Sequence, residues 1–533
     1  MPTDCISFRD TNYFSSLICD YLDEKEELKP FYNRYPKLEN FENQIKEKQT
    51  QFSKETRKVL TTVLLNQYKK ADVSEETLAN IKSLHLENTF TITTGHQLNL
   101  FTGPLYFLYK IVSTINLTKE LKDKYPNYNF VPVYWMATED HDFDEINFFN
   151  FQGKKIQWSK EVSGAVGRLN TKGLENVSEV LALELGIGQN AAYLTELFAN
   201  AYTNHDNLAD ATRYLANELF GGQGLVILDA DNKDLKEQFI PYIKEEIGNT
   251  SFEQVSKTNN ELSVASDGGY KIQVNPREIN LFYLNDDLRE RIIEKDGGYV
   301  VNEANIFWTK DELITEIENH PDRFSPNVIM RPLYQEVILP NLCYIGGGGE
   351  LAYWMQLKAY FNKVNVVFPM LLLRNSVVIK TPKQSQKIDK LELSMSDLFL
   401  KQDKLVNAQV KRLSHIDIDF SSQRAFLQKQ FEDLYELAEK TDKTFLGAVA
   451  AQEKKQIKGL NNLEKRLLKA QKRNLRSKIE RITAIQDQLF PGQSLQERNT
   501  NFSEFYLHYG DQLIHELVLN LQPLKSEFLI LEL

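Results

Sequence analysis

The sequence predicts an α/β protein: an open parallel-sheet core, two insertions between its strands, and a long coiled-coil helical domain. Three observations lead there. Residues 91–148 read as strand, polar turn, helix, strand and acidic turn, which is one βαβ unit. The buried-strand pattern returns at Gly224–Asp231, Cys343–Ile345 and Val364–Met370, so long inserts interrupt one sheet. Between 383 and 490 glycine nearly vanishes, and Leu, Lys, Gln and Glu dominate.

Taken in order, residues 1–90 form a helical segment packed on the core. Phe14, Leu17, Ile18, Tyr21 and Leu22 have helical spacing, as do Val59, Val63 and Leu64 within Ser53–Tyr68. The first core strand is Thr91–Thr94. Its helix runs through Tyr109, Val112, Ile115 and Leu117, and Phe130–Met136 is the second strand. Residues 149–220 are a helical insertion, with helices around Glu179–Leu185 and Ala191–Tyr202 and a third stopped by Gly221-Gly222. Residues 221–245 restore a core strand and helix. A second insertion, 246–320, is richer in β-branched residues and has turns at Ser266–Tyr270 and Asp296–Tyr299. Residues 321–382 complete the core.

In the 383–490 segment Ile457, Leu460, Leu463, Leu467, Ala470, Ile479, Ile482, Ile485 and Leu489 recur at helical spacing. One long helix cannot bury such a stripe alone, so it predicts a coiled-coil hairpin or dimer arm. Pro491-Gly492 ends it, and the aromatic, apolar tail 493–533 docks on the core.

At 533 residues the chain exceeds one ordinary domain. Its net charge of −11 argues against general nucleic-acid binding. No run of 18 apolar residues exists to span a membrane, and the first residues lack a signal-peptide pattern. Cys5, Cys19 and Cys343 are too scattered for a disulfide framework or an evident zinc site. A cytoplasmic protein is expected.

Four stretches carry candidate chemistry. Gly95-His96-Gln97 lies where a strand is expected to hand over to a helix, whose free N–H groups favour anions. His96 and Gln97 could donate to a nucleotide or an oxyanion; without a GK[ST] ending this is not a Walker loop. Glu139–Glu145 holds five carboxylates and His141 in seven residues. Such crowding is costly unless a cation or amine shares it, and Asp140, His141, Asp142 and Asp144 are the candidate catalytic groups. Extended, the three aspartates would share one face; helical, Asp140 would pair with Asp144. Gly346–Gly349 before Glu350 lets backbone lie against a ligand. Arg331 could clamp a carboxylate in bidentate fashion. A basic helix carrying Lys465, Arg466, Lys469 and Arg473 is either a solvated face or a phosphate-binding patch. Cys343 could be nucleophilic, although a buried packing thiol is the better expectation.

These motifs, in this order, resemble the bacillithiol-biosynthesis cysteine-adding enzymes, the BshC family. The blocks are Thr94–Gln97 with Thr102–Tyr106, Glu139–Glu145, Phe324–Val328 with Arg331-Pro332, and Tyr344–Tyr353. The resemblance spans essentially the whole chain. It implies a Rossmann-like core with two connecting insertions and a coiled-coil domain that forms a homodimer. It also implies a reaction, joining the carboxyl of L-cysteine to the amine of glucosaminyl-malate to give bacillithiol. ATP or ADP and Mg2+ are the candidate cofactors. Gly95, His96, Gln97, Gly103, Gly347, Gly348 and Gly349 would bind nucleotide or activated carboxyl, and Arg331 a malate carboxylate. That core is in turn similar to class I aminoacyl-tRNA synthetases, whose Lys-Met-Ser-Lys-Ser loop this sequence lacks. Two alternatives stand beside this reading. One is a metal-dependent hydrolase or deacetylase using Glu139–Glu145. The other is a non-catalytic nucleotide-binding coiled-coil scaffold.

Overall fold

The structure is a computed structural model that describes all residues except Met1, Lys70, Asp267, Glu303 and Asp442. The predicted turn at Ser266–Tyr270 therefore lies outside the described residues at Asp267. The chain forms two compact units, Met1–Ile379 with Leu495–Leu533, and Lys380–Ser494.

The first unit is built around a sheet. Strand β1 (Thr89–His96) is buried along its whole length, which suits its β-branched residues on both faces. Helix α1 (Tyr106–Lys124) follows and buries nearly every residue up to Leu121. Its last turn carries Lys122 and Lys124, favourable against the helix dipole. Strand β2 (Asn129–Met136) pairs in parallel with β1, Gly95 opposite Trp135 and His96 opposite Met136. Strand β3 (Val226–Asp229) pairs in parallel with β2. Helix α2 (Arg331–Ile338), strand β4 (Asn341–Gly346), helix α3 (Gly348–Met355) and strand β5 (Met370–Leu373) complete the core.

The order is β5-β4-β1-β2-β3, all parallel. The chain moves outward from β1 through β2 and β3, then restarts on the other side with β4 and β5. The order thus reverses between β1 and β4. Open α/β sheets bind ligands at such a switch, beyond the strands' carboxyl ends. Phe90, Ile92, Leu117, Leu121, Leu342 and Met370 belong to the apolar cluster on this sheet. Pro2–Ser7 pairs with Glu527–Glu532, so both chain ends share a small sheet.

Several expectations shift. Strand β1 extends through His96, so Gly95-His96-Gln97 is not a helix start; α1 begins ten residues after His96. Phe101, Thr102 and Gly103 intervene with φ of 50°, 67° and 65°. Residues 149–220 are not purely helical, because a hairpin of Phe148–Phe151 and Lys154–Gln157 precedes three helices. The second insertion opens with a helix, Thr250–Val264, before its short strands. The Asp296 turn is as expected, with Asp296 and Gly297 at φ 53° and 77° in a tight hairpin. The strand expected at Val364–Met370 begins only at Met370.

In the second unit, helices α4 (Ser421–Glu439) and α5 (Lys443–Asn474) form an antiparallel hairpin. Tyr435 bonds Glu453 and Arg424 pairs with Glu464, a register only an antiparallel pair allows. The predicted single helix breaks at Leu475, and α6 (Arg476–Leu489) follows. Val410 and Ile418 pack there with Leu467, Leu475 and Ile479. Among the described residues no helix is long and apolar enough to cross a membrane.

Candidate active site

A cleft of about 690 Å³ lies in the first unit, at the carboxyl ends of the sheet strands. Seven Lys and Arg side chains line it against four carboxylates. That local positive excess, in a chain of net charge −11, suits an anionic ligand.

The floor lies at the β1–β4 switch. Gly95 faces Tyr344 and Arg331 so closely that an added Cβ would sit 3.1 Å from the Tyr344 hydroxyl. Lys110 rises from α1, its Nζ 2.7 Å from the Gly95 carbonyl and 2.7 Å from Glu350 Oε1. Burial pushes the Lys110 pKa down, against the pull of Glu350. Glu350 also accepts from the Gly347 N–H at 2.7 Å, satisfying the start of α3. Gly347, Gly348 and Gly349 line the cleft, and a Cβ at Gly349 would meet nothing. At Gly346 it would strike Glu350, Leu351 and Tyr344, all at 2.9 Å.

Arg331 is the first residue of α2 and reaches into the cleft. Trp135, Tyr344 and Trp354 surround its guanidinium with ring centroids at 5.8, 5.8 and 6.0 Å. Among the described residues it has no carboxylate partner. Arg374, by contrast, is paired with the buried Glu497 at 2.7 Å. An arginine caged by aromatic faces and without a direct ion pair suits a ligand carboxylate or phosphate.

The acidic loop also lines the cleft. It is neither extended nor helical up to Asp142; a turn at Thr138-Glu139 precedes a short helix, Phe143–Ile146. Asp140 and Asp142 line the cleft on either side of His141, and their ligand atoms lie within 4.8 Å of one another. Arg289 donates to His141 Nδ1 at 2.6 Å, leaving the ring proton on Nε2. Burial raises the Asp142 pKa, and Asp140 adds to the rise. Glu139 lines the cleft too, but its side chain is only 12% exposed and is ion-paired with Lys236 at 2.6 Å. Asp144 does not line the cleft; its carboxylate accepts weakly from Asn147 at 3.5 Å.

Three other predicted residues serve differently than expected. Gln97 Nε2 donates to Asp140 at 3.0 Å and Glu145 at 2.9 Å, which commits it to fixing the acidic loop. His96 is only 7% exposed and packs on Tyr106 and Phe107. Burial, reinforced by Lys110, lowers its pKa well below 6.5, so the ring is neutral and cannot serve as a cation. Gly103 does not reach the cleft; it belongs to the left-handed turn that Asn501 clasps through the Phe101 and Gly103 carbonyls at 2.8 and 2.6 Å. Cys343 is wholly buried in the sheet core and its thiol pKa is raised, so it is no nucleophile. Lys465, Arg466, Lys469 and Arg473 are exposed on α5 in the second unit.

Sequence reasoning missed Lys110, Arg289 and Arg374. Lys110 was visible as the lone cation on an otherwise apolar helix stretch. Arg289 carried no signal, because it lies in the second insertion, far from any motif.

The N-terminal Rossmann-like domain of bacillithiol biosynthesis BshC matches residues 1–375, and the C-terminal coiled-coil domain of BshC matches 377–533. A protein of Flavobacterium johnsoniae named "Putative cysteine ligase BshC" is 60% identical over all of both chains. One of the same name from Christiangramia forsetii is 59% identical over 100% of this chain and 99% of its own. One from Bacillus cereus is 28% identical over 95% of each. A solved Campylobacter jejuni chain titled "putative arginyl t-RNA synthetase" is 11% identical over 88% of this chain and 98% of its own, at a TM-score of 0.19. With both family domains matched across 1–375 and 377–533, and relatives at up to 60% identity, the chain belongs to the bacillithiol biosynthesis BshC family, and with it to the ligase enzymes.

Proposed function

We propose that the protein joins the carboxyl of L-cysteine to the amine of glucosaminyl-malate, the last step of bacillithiol formation. The observation that carries this is the cleft's polarity. Arg331, which has no ion-pair partner among the described residues, and the Asp140–His141–Asp142 group line the same cleft. A substrate with a carboxylate at one end and an amine at the other fits that polarity.

Arg331 holds a malate carboxylate through paired N–H donors. The amine arrives protonated near neutral pH and attacks only once deprotonated. Asp142 accepts that proton; burial and the neighbouring Asp140 carboxylate raise its pKa and with it its basicity. The nitrogen then bonds to the activated cysteine carboxyl carbon, and the activating group leaves with the carbon–oxygen bonding pair. ATP supplies that activation; the Gly348 and Gly349 N–H groups, beside the Gly347 N–H that Glu350 takes, suit its anionic part. Asp140 and Asp142 offer the oxygens Mg2+ prefers, although His141 between them is not a typical Mg2+ ligand. The protein acts in the cytoplasm, where its three free thiols stay reduced.

The second unit forms a homodimer. Phe426 and Leu463 on α4 and α5 are 67% and 54% exposed, and a single hairpin cannot cover them.

The test is detection of the thiol product by mass spectrometry from L-cysteine and glucosaminyl-malate, with and without ATP and Mg2+. ATP-dependent product is expected. Product without ATP would discard the nucleotide step; none in either case, with both substrates bound, would discard the reaction as written.

A further inference from the structure

A buried polar chain runs from Arg331 into the core. Arg331 Nη1 donates to Gln335 Oε1 at 3.1 Å. Gln335 Nε2 donates to Glu336 Oε1 at 3.0 Å. The same oxygen accepts from Asn341 Nδ2 at 2.7 Å, and Lys48 Nζ lies 3.2 Å from Glu336 Oε2. Lys48, Gln335, Glu336 and Asn341 are each 2% exposed or less, and none of them lines the cleft.

A buried ion pair is expensive. Each ion costs several kcal/mol to dehydrate, and apolar residues of similar volume often stabilise as well or better. The Lys48–Glu336 pair is therefore poorly explained by stability alone. Its position in a chain of donors and acceptors suggests another role. Arginine only donates, and an ionised carboxylate only accepts. Gln335 sits between the two, so a single amide orientation satisfies both: NH2 towards Glu336, oxygen towards Arg331. With an amide at position 336 that orientation is no longer imposed. Gln335 could then turn its NH2 towards a guanidinium that has nothing to accept it. The rest of the Arg331 head group meets aromatic faces and the Tyr353 hydroxyl at 3.5 Å, which leave its rotation loosely defined.

We propose that Glu336, paired with Lys48, is a positioning residue: through Gln335 it fixes the plane of the Arg331 guanidinium for a bidentate substrate carboxylate. This rests on the assignment of Arg331 to that carboxylate.

The test compares Arg331→Met, Glu336→Gln and Gln335→Met in the full chain. It measures L-malate affinity by calorimetry, KM for glucosaminyl-malate and for cysteine, and thermal melting. Arg331→Met should weaken malate binding about a hundredfold. Glu336→Gln and Gln335→Met should each raise the glucosaminyl-malate KM about tenfold, with the cysteine KM and kcat within about twofold of wild type. Should Glu336→Gln fail to melt cooperatively, Gln335→Met, uncharged and of similar length, carries the test. If Arg331→Met binds malate like wild type, the carboxylate assignment fails and the positioning role with it. If Arg331→Met is impaired but Gln335→Met is not, the positioning role alone fails. A matching rise in both KM values would show general loosening of the fold and also overturn it.

Discussion

Lys110 and Glu350 form an ion pair at 2.7 Å, joining α1 to the start of α3 across the switch between β1 and β4. Lys110 is nearly inaccessible, while Glu350 is partly open to the cleft. Lys110→Met should therefore lower stability by about 2 kcal/mol, less than a fully buried pair would lose. Changing Glu350→Leu as well should recover part of it. Urea unfolding of the two variants checks this; a single variant as stable as wild type would show the pair contributes nothing.

The acidic wall should set the acid limb of activity. Burial and Asp140 hold the Asp142 pKa above its ordinary 3.8. A base works only when deprotonated, so kcat/KM should fall with pH through a value above that ordinary range. Asp142→Asn should cut kcat by about 10²-fold or more. Asp144→Asn, outside the cleft, should stay within about twofold of wild type. Equal losses at both positions would return the acidic segment to a merely structural loop.

Two neighbouring glycines should respond in opposite ways. Gly346→Ala places a Cβ 2.9 Å from three side-chain atoms and should cost about 1–3 kcal/mol. Gly349→Ala meets nothing and should leave the melting temperature unchanged or slightly raised, since alanine favours the helix. Its effect would appear instead as a higher substrate KM, because that face lines the cleft. Thermal melting alongside steady-state kinetics separates the two.

His96 should make the fold acid-sensitive. Its folded pKa lies well below 6.5, so beneath that value the unfolded chain binds the extra proton first. Stability is then lost as pH falls below about 6.5, by about 1 kcal/mol per pH unit until the folded histidine itself titrates. His96→Gln should melt with a flatter dependence between pH 7 and 5.5. Parallel curves for the two proteins would show that His96 is not the group responsible.

Much of the core was legible because its signals are local. Phe130–Met136 is too apolar to be anything but a buried strand, and the α1 periodicity is unbroken over five turns. Leu475 shows the limit. The apolar stripe runs through it without a glycine or proline, so nothing local announces the break between α5 and α6. Val364–Met370 shows another. Its apolar content is that of a strand, but the parallel register with Cys343–Gly346 admits only Met370–Leu373.

The sequence by itself determined the central strand–helix–strand unit, the coiled-coil segment and the family, because period, turn residues and motif order are properties of neighbouring positions. Only the tertiary structure decided which candidates form the site. Asp140 and Asp144 lie four residues apart, yet one faces the cleft and the other does not, because Gln97 draws in Asp140 while the helix at Phe143 turns the chain aside. Arg331 and Lys110 are more than 200 residues apart, yet both reach the cleft because parallel strands align their carboxyl ends at one sheet edge. Burial, which makes His96 neutral and Cys343 inert, likewise belongs to the packed fold rather than to the residues alone.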